Sequence, residues 1–231
     1  MTSVPPAHSE DLRRVTASVP RWHSSWLSIS PLARDIQRLA PRLRAGRLLD
    51  IACGNKPYRS WFPQATWYLG LDIVPANSSA DVVAHTAQLP FAAEVFDSAL
   101  CTQALEHVAR PDALLAEAWR VLKPNGQLLL SAPMYWQDHE EPYDFYRYTR
   151  HGLQFLLAQA GFEIEYLVQQ GGAWRVVGQA FANTFYTGIR FRTFGVRALV
   201  LLLANTFFDL LDRVNYQTQD TCNLVVLARK I

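Results

Sequence analysis

Short apolar runs alternating with helix-patterned segments predict an α/β protein: a doubly wound, mostly parallel sheet of seven strands with a helical insertion before the last strand. Three observations carry this. "RLLDIAC" (47–53), "WYLGLDI" (67–73), "DVVA" (81–84), "FDSALCT" (96–102) and "GQLLLSA" (126–132) are runs rather than polar–apolar alternations, as in strands buried on both faces. Between the last two, "RPDALLAEAWRVLKPNG" places apolar residues at helical spacing. Two further strand-like runs, "FEIEYLV" (162–168) and "TCNLVVLAR" (221–229), are separated by a segment far too long for a hairpin.

The elements follow in order. Residues 1–30 read as a leader or N-terminal lid, polar and proline-bearing at its start, and 31–231 as the main domain. "SPLARDIQRL" opens the first helix, with Ser30 as N-cap and Pro31 at the first helical position. Trp22 and Trp26, just before it, are candidates for a lid over a ligand or for the core. In the helix after the fourth strand, Leu114, Ala118, Val121 and Leu122 share a face, and Lys123-Pro124-Asn125-Gly126 stops it. Thr149 caps another helix, lined by Leu153, Leu156, Leu157 and Ala160 and ended by Gly161.

Residues 172–215 form the apolar helical insertion. Counting from Arg197, Asn205, Asp209, Asp212 and Arg213 fall within about 160° of arc, and the remainder of that helix is Leu, Val, Phe and Ala apart from Thr206. Arg197 and Asp209 argue against a spanning helix. The expected partners of its apolar face are its own domain, a second copy in a homodimer, or a membrane surface approached through Arg190, Arg192 and Arg197.

With 231 residues, half of them hydrophobic and 18% charged, the chain can build one sizeable core. A net charge of +2 argues against a nucleic-acid partner. Cys53, Cys101 and Cys222 are far apart with no CxxC pair, so reduced thiols are expected. The first residues lack the apolar stretch of a secretory signal, which gives a cytoplasmic expectation, with peripheral membrane contact as its variant.

Ligands of open α/β sheets bind beyond the carboxyl ends of the strands. The loop after the first strand, Asp50-Ile51-Ala52-Cys53-Gly54-Asn55-Lys56, has one glycine where the chain must turn and a ligand approach the backbone. Asp72 ends the second strand, where a carboxylate can accept both hydroxyls of a ribose. Taken with these, "LLDIACGNKPY", "GLDI", "LPFAAEVFDSALCTQALEHV" and "EAWRVLKPNGQLLLSAP" resemble the class I S-adenosylmethionine-dependent methyltransferases of Rossmann-like fold, in the group of ubiquinone-biosynthesis-type enzymes. The resemblance runs from about 47 to 168.

That resemblance implies S-adenosylmethionine as cofactor. Asp50, Ala52 and Gly54, with Cys53, would line its amino-acid end. Asp72 and Ile73 would meet the ribose, Leu89 would sit near the adenine, and Gln103 to Glu106 would flank the methyl-bearing sulfur. The family commonly has glycine where Ala52 stands, which is tolerable if the backbone there is not at positive φ. It commonly has an acid where His85 stands, and a neutral histidine could accept the adenine amino group through one ring nitrogen.

"YWQDHEEPYDFYRYTRHG" (135–152) follows the fifth strand and should face "QALEHV". Its six aromatics suit a dry pocket wall, and its acids and histidines can orient an acceptor. His139 or His107 is the expected base, with Glu140, Glu141 and Asp144 orienting the acceptor and Arg147 able to pair with Asp144. No metal is expected, because adjacent side chains on an extended segment, Asp138 to Glu141, point apart. "HEEPYDFYRYT" also resembles methyltransferases of bacterial polysaccharide pathways. The expected function is O-methylation of a sugar, glycan intermediate or other small molecule. The alternatives are a lipid-quinone methyltransferase and a non-catalytic partner-binding protein on the same fold.

Overall fold

The computed structural model describes residues 17–73, 79–188 and 194–231. Its sheet has seven strands: β1 (Gly46–Ile51), β2 (Ala65–Asp72), β3 (Val82–Val83), β4 (Phe96–Thr102), β5 (Leu122–Pro133), β6 (Phe162–Gln170) and β7 (Asn223–Lys230). Their order is β3-β2-β1-β4-β5-β7-β6, parallel except that β7 runs antiparallel between β5 and β6. Every strand expected from the sequence is present.

Side-chain alternation divides the strands between two cores. Leu49, Ile51, Ala99, Cys101, Leu128, Leu130, Leu224 and Val226 join the core that holds α2 (Pro111–Val121) and α3 (Arg150–Gln159). Their neighbours Leu48, Leu100, Leu129, Val225 and Leu227 join the opposite core with α1 (Trp26–Leu39). Both faces are therefore apolar, which explains the unbroken runs. Thr149 caps α3 as expected, its hydroxyl accepting from Gly152 N at 3.0 Å.

Two expectations are corrected. Helix α1 begins at Trp26, not Pro31, and carries Pro31 in its interior. Proline has no N–H to give the carbonyl four residues back, but Arg175 Nη1 donates to that carbonyl, Leu27 O, at 2.8 Å. Trp26 lies beneath the guanidinium groups of Arg21 and Arg175, 4.3 and 5.4 Å from its ring centre. Trp22 borders a cavity of about 220 Å³ with Tyr186, Arg197 and Leu201. Both tryptophans thus pack by the insertion rather than over the loop after β1.

The insertion consists of α4 (Ala173–Gly188) and α5 (Phe194–Val214), and α5 presents its polar stripe to the protein. Asn205, Asp209 and Asp212 are buried. Arg175 of α4 pairs with Asp209 and lies 3.6 Å from Asp212, whose carboxylate accepts from Gly172 N at 3.0 Å. Asn205 Nδ2 donates to the carbonyls of Arg21 and His23 at 2.6 and 2.9 Å. The apolar side faces outward instead: Val196, Leu199, Leu202, Leu203, Phe207, Leu210 and Val214 are exposed, Leu203 by 62% and Phe207 by 56%. Arg190 and Arg192 lie outside the described residues. No helix among the described residues is long and apolar enough to cross a membrane.

Candidate active site

The loop after β1 meets the end of β2 at the carboxyl edge of the sheet. Ala52, Gly54 and Lys56 have φ of 57°, 49° and 55°, so the loop turns through three left-handed residues. Ala52 corrects the condition attached to it: it does stand at positive φ, at a cost of roughly 1 kcal/mol relative to glycine. Gly54 N donates to Asp72 Oδ2 at 2.9 Å and Cys53 N to Leu71 O at 3.0 Å, tying the loop to the next strand. Lys56, where a further glycine would be usual, tucks inward onto Asp81 at 2.6 Å. A Cβ on Gly70 would collide with the side chains of Lys56 and Cys53, so glycine there makes room for the lock. No residue pattern signals this Lys56–Asp81 pair, whose members lie 25 positions apart.

Asp50 is 3% exposed, and Tyr68 Oη donates to its Oδ2 at 2.5 Å. Burial pushes its carboxyl up to about 7 despite that bond. The Cys53 thiol is buried and pushed up as well. Ile73 is exposed at the end of β2.

His85 differs from its expected role. Its Nδ1 accepts from Ala87 N at 3.1 Å, so in the neutral ring the proton sits on Nε2, which offers a donor, not an acceptor. Leu89 is buried in the core with its amide given to Glu117 Oε2 at 2.8 Å, leaving only its apolar surface for contact. Gln103, at φ 48°, bonds Ser131 through its backbone N–H and its side-chain amide. It pins the end of β4 to β5.

The second wall joins the turn Leu105–His107, after β4, to the aromatic segment after β5. Phe145 N donates to Glu106 O at 2.9 Å, Tyr148 Oη to Leu105 O at 3.0 Å and Tyr146 Oη to Ala109 O at 3.1 Å. These place 135–148 against "QALEHV", as the sequence predicts.

His107 and His139 come from different loops, yet their rings meet edge to face with centroids 4.6 Å apart. His107 Nδ1 is 3.0 Å from Tyr143 O and, facing a carbonyl, must donate. His139 Nδ1 is 3.1 Å from Asp144 Oδ2, which also accepts from His139 N at 2.9 Å. Arg147 forks onto both Asp144 oxygens at 2.7 Å. Burial opposes ionisation of Asp144, but the fork and His139 hold it well below the usual carboxylate range. Burial and the neighbouring His107 lower His139, keeping its imidazole neutral.

Asp144 is thereby corrected from acceptor-orienting to ring-positioning: both of its oxygens are already engaged. Glu141 is exposed, whereas Glu140 is half-buried and turns through φ 52°. Glu106, expected near the cofactor sulfur, is 1% exposed beside the two histidines, and its Oε2 has no hydrogen-bond partner among the described residues. Burial raises its carboxyl to about 8.

Residues 49–130 match the family model described as a methyltransferase domain. Uncharacterized methyltransferases of Mycobacterium avium and Mycolicibacterium paratuberculosis are each 36% identical over 100 residues, or 38% of this chain. The chain covers 40% and 39% of those relatives, about two fifths of their length. Among solved structures, an S-adenosylmethionine-dependent methyltransferase from Archaeoglobus fulgidus is similar at TM-score 0.55 and 16% identity, over 85% of this chain and 92% of that one. Phosphoethanolamine N-methyltransferase 2 of Haemonchus contortus, solved with S-adenosylmethionine, gives 0.54 and 17% over 90% and 56%. The [4+2]-cyclase SpnF gives 0.57 and 22% over 86% and 80%. The chain therefore has the Rossmann-like fold of these solved structures, and its residues 49–130 match the model of the methyltransferase-domain family.

Proposed function

We propose that the protein is an S-adenosylmethionine-dependent methyltransferase that O-methylates a sugar, a glycan intermediate or another small hydroxyl compound. The observation that carries this reading is the His139–Asp144–Arg147 array beside the loop after β4, a neutral imidazole oriented by a carboxylate that is itself held ionised.

The residues at the strand ends fit the cofactor. The loop at Gly54 lets a ligand approach the backbone, and the Asp72 carboxylate stands beside it for ribose hydroxyls. When bound, S-adenosylmethionine supplies an activated methyl group, so the protein needs no nucleophile of its own. What the chain supplies is alignment, dryness and a proton acceptor. Tyr135, Trp136, Tyr143, Phe145, Tyr146 and Tyr148 line the segment facing the loop after β4. The Nδ1–H bond to Asp144 leaves Nε2 of His139 to take a hydroxyl proton. A base so placed is worth about 10² to 10⁴-fold.

The narrower likeness of "HEEPYDFYRYT" supports a glycan acceptor. The outward apolar face of α4 and α5 supports one presented at a lipid surface. The only acids in either helix, Asp209 and Asp212, are buried, while Arg213 is exposed and Arg197 partly so. An apolar face with basic and no acidic exposed charge complements an anionic bilayer. A lipid quinone would use the same face and is the second acceptor class.

The test is calorimetric titration of the full chain with S-adenosylmethionine, beside Asp72→Ala and Asp72→Asn. Loss of charge-assisted bonds of about 1.5–3 kcal/mol predicts roughly 10- to 100-fold weaker binding for Asp72→Ala. Asp72→Asn should lose less, because it keeps an acceptor for Gly54 N. No binding by the unaltered chain, or equal binding by all three, rejects the reading.

A further inference from the structure

We propose that Glu106, His107 and His139 form a binding site for one divalent transition-metal cation. Three observations support it independently of any likeness to other proteins. One ligand atom from each residue lies within 4.8 Å of the others, although the residues belong to two loops that leave different strands. His107 Nε2 is already 3.9 Å from Glu106 Oε1.

Both rings are also oriented as metal ligands are. His107 gives its Nδ1–H to the Tyr143 carbonyl and His139 gives its own to Asp144. Each histidine is left with a lone pair on Nε2, and each is braced by an oxygen acceptor behind it, as ligating imidazoles almost always are. Arg147 in turn fixes Asp144, so the brace is itself held.

The third observation is Glu106. It is 1% exposed and its Oε2 meets no donor among the described residues. A buried carboxylate oxygen without a partner is costly unless a cation completes it. Two imidazoles and a carboxylate on one side of a cation, with open positions opposite, is the donor set of Fe²⁺, Mn²⁺, Co²⁺ or Zn²⁺. Mg²⁺ and Ca²⁺ favour all-oxygen shells.

Side chains of the neighbours Asp138 to Glu141 on one extended segment point apart and cannot converge on a cation. This cluster escapes that limit by drawing His139 from that segment and the other two ligands from the turn after β4. The role of the cation, though not its binding, rests on the proposed methyl transfer: an acceptor oxygen at an open position would be oriented and its hydroxyl acidified. The imidazoles would then act as ligands, and the proton of the acidified hydroxyl would pass to solvent water.

The experiment uses the full chain, freed of metal by a chelator and titrated with Co²⁺ by calorimetry and visible absorption. Far-ultraviolet circular dichroism and the thermal unfolding midpoint of each variant serve as the check on folding. One Co²⁺ per chain is expected, with a d–d spectrum of mixed nitrogen and oxygen ligation. His139→Gln and Glu106→Gln should each weaken binding roughly 100-fold or more, and Asp144→Asn roughly 10- to 100-fold through the brace. No saturable binding at millimolar Co²⁺, or binding unchanged in His139→Gln, overturns the site even where S-adenosylmethionine still binds. Stoichiometric metal with no S-adenosylmethionine binding supports the site and rejects only the methyl-transfer reading.

Discussion

Arg175→Met should be among the most destabilising single substitutions in the insertion. Methionine keeps much of the apolar stem and removes every donor. Three acceptors are then affected. Leu27 O loses its partner at 2.8 Å and cannot recover one from the helix, since residue 31 is proline. An orphaned buried carbonyl costs about 1–3 kcal/mol. Asp209 loses its closest cation but keeps Arg213 at 2.9 Å and Arg21 at 3.4 Å. Asp212 keeps the N–H of Gly172, shared between its two oxygens at 3.0 and 3.1 Å. The charge effect should therefore fall below the 3–5 kcal/mol of a fully stripped buried pair, and the total should come to about 4 kcal/mol. Urea unfolding followed by tryptophan fluorescence measures it, with Trp26 beside Arg175 as a local reporter. Pro31→Ala restores an N–H four residues after Leu27, and in the Arg175→Met background it should recover about 1–3 kcal/mol. Arg213→Ala, with a side chain 66% exposed, should cost under about 1 kcal/mol. Equal losses for Arg175→Met and Arg213→Ala, or no rescue by Pro31→Ala, would refute the reasoning.

Two further outcomes are expected. Ala52→Gly relieves a left-handed alanine, and after the entropy and methyl burial it gives up should gain up to about 0.5 kcal/mol, or up to roughly 2 °C by scanning calorimetry; a lower Tm would contradict the strain. The full chain should sediment with vesicles containing anionic lipid, and Leu203→Asp with Phe207→Asp should release it. A chain that stays in the supernatant, but forms a dimer that the same pair breaks, would replace the lipid surface with a second copy.

The inner strands were legible because strands buried on both faces must be apolar throughout, a property that survives without tertiary information, whereas edge strand β6 alternates Phe162, Ile164 and Tyr166 with Glu163 and Glu165. Local contacts were legible for the same reason, as at Thr149, whose partner is three residues away. What escaped depends on distant residues. The start of α1 required Arg175, 148 positions from Leu27, to serve the carbonyl that Pro31 leaves bare. Periodicity revealed the polar stripe of α5 but not which side faces inward, since Arg175 reverses the ordinary preference by making buried carboxylates acceptable. In the site, His107 and His139 were each identifiable by residue type. Their meeting, the burial of Glu106 and the engagement of Asp144 arise from how two loops dock. Ala52 shows the limit in one residue: its φ follows from the turn, not from alanine's own preference.

The place of β7 bears on how the chain reaches this state during synthesis. Asn223–Lys230 leaves the ribosome after the other six strands, yet it occupies a slot between β5 and β6 rather than an outer edge. Until it arrives, β5 has a bare edge and β6 has no neighbour at all in the sheet, while the apolar α4 and α5 have already emerged. A nascent chain stalled before residue 223 would thus expose unpaired strand edges beside an apolar surface, the combination most prone to non-native association. Sheet closure is a late, single event, and chaperone dependence should concentrate in the interval between completion of β6 and arrival of β7.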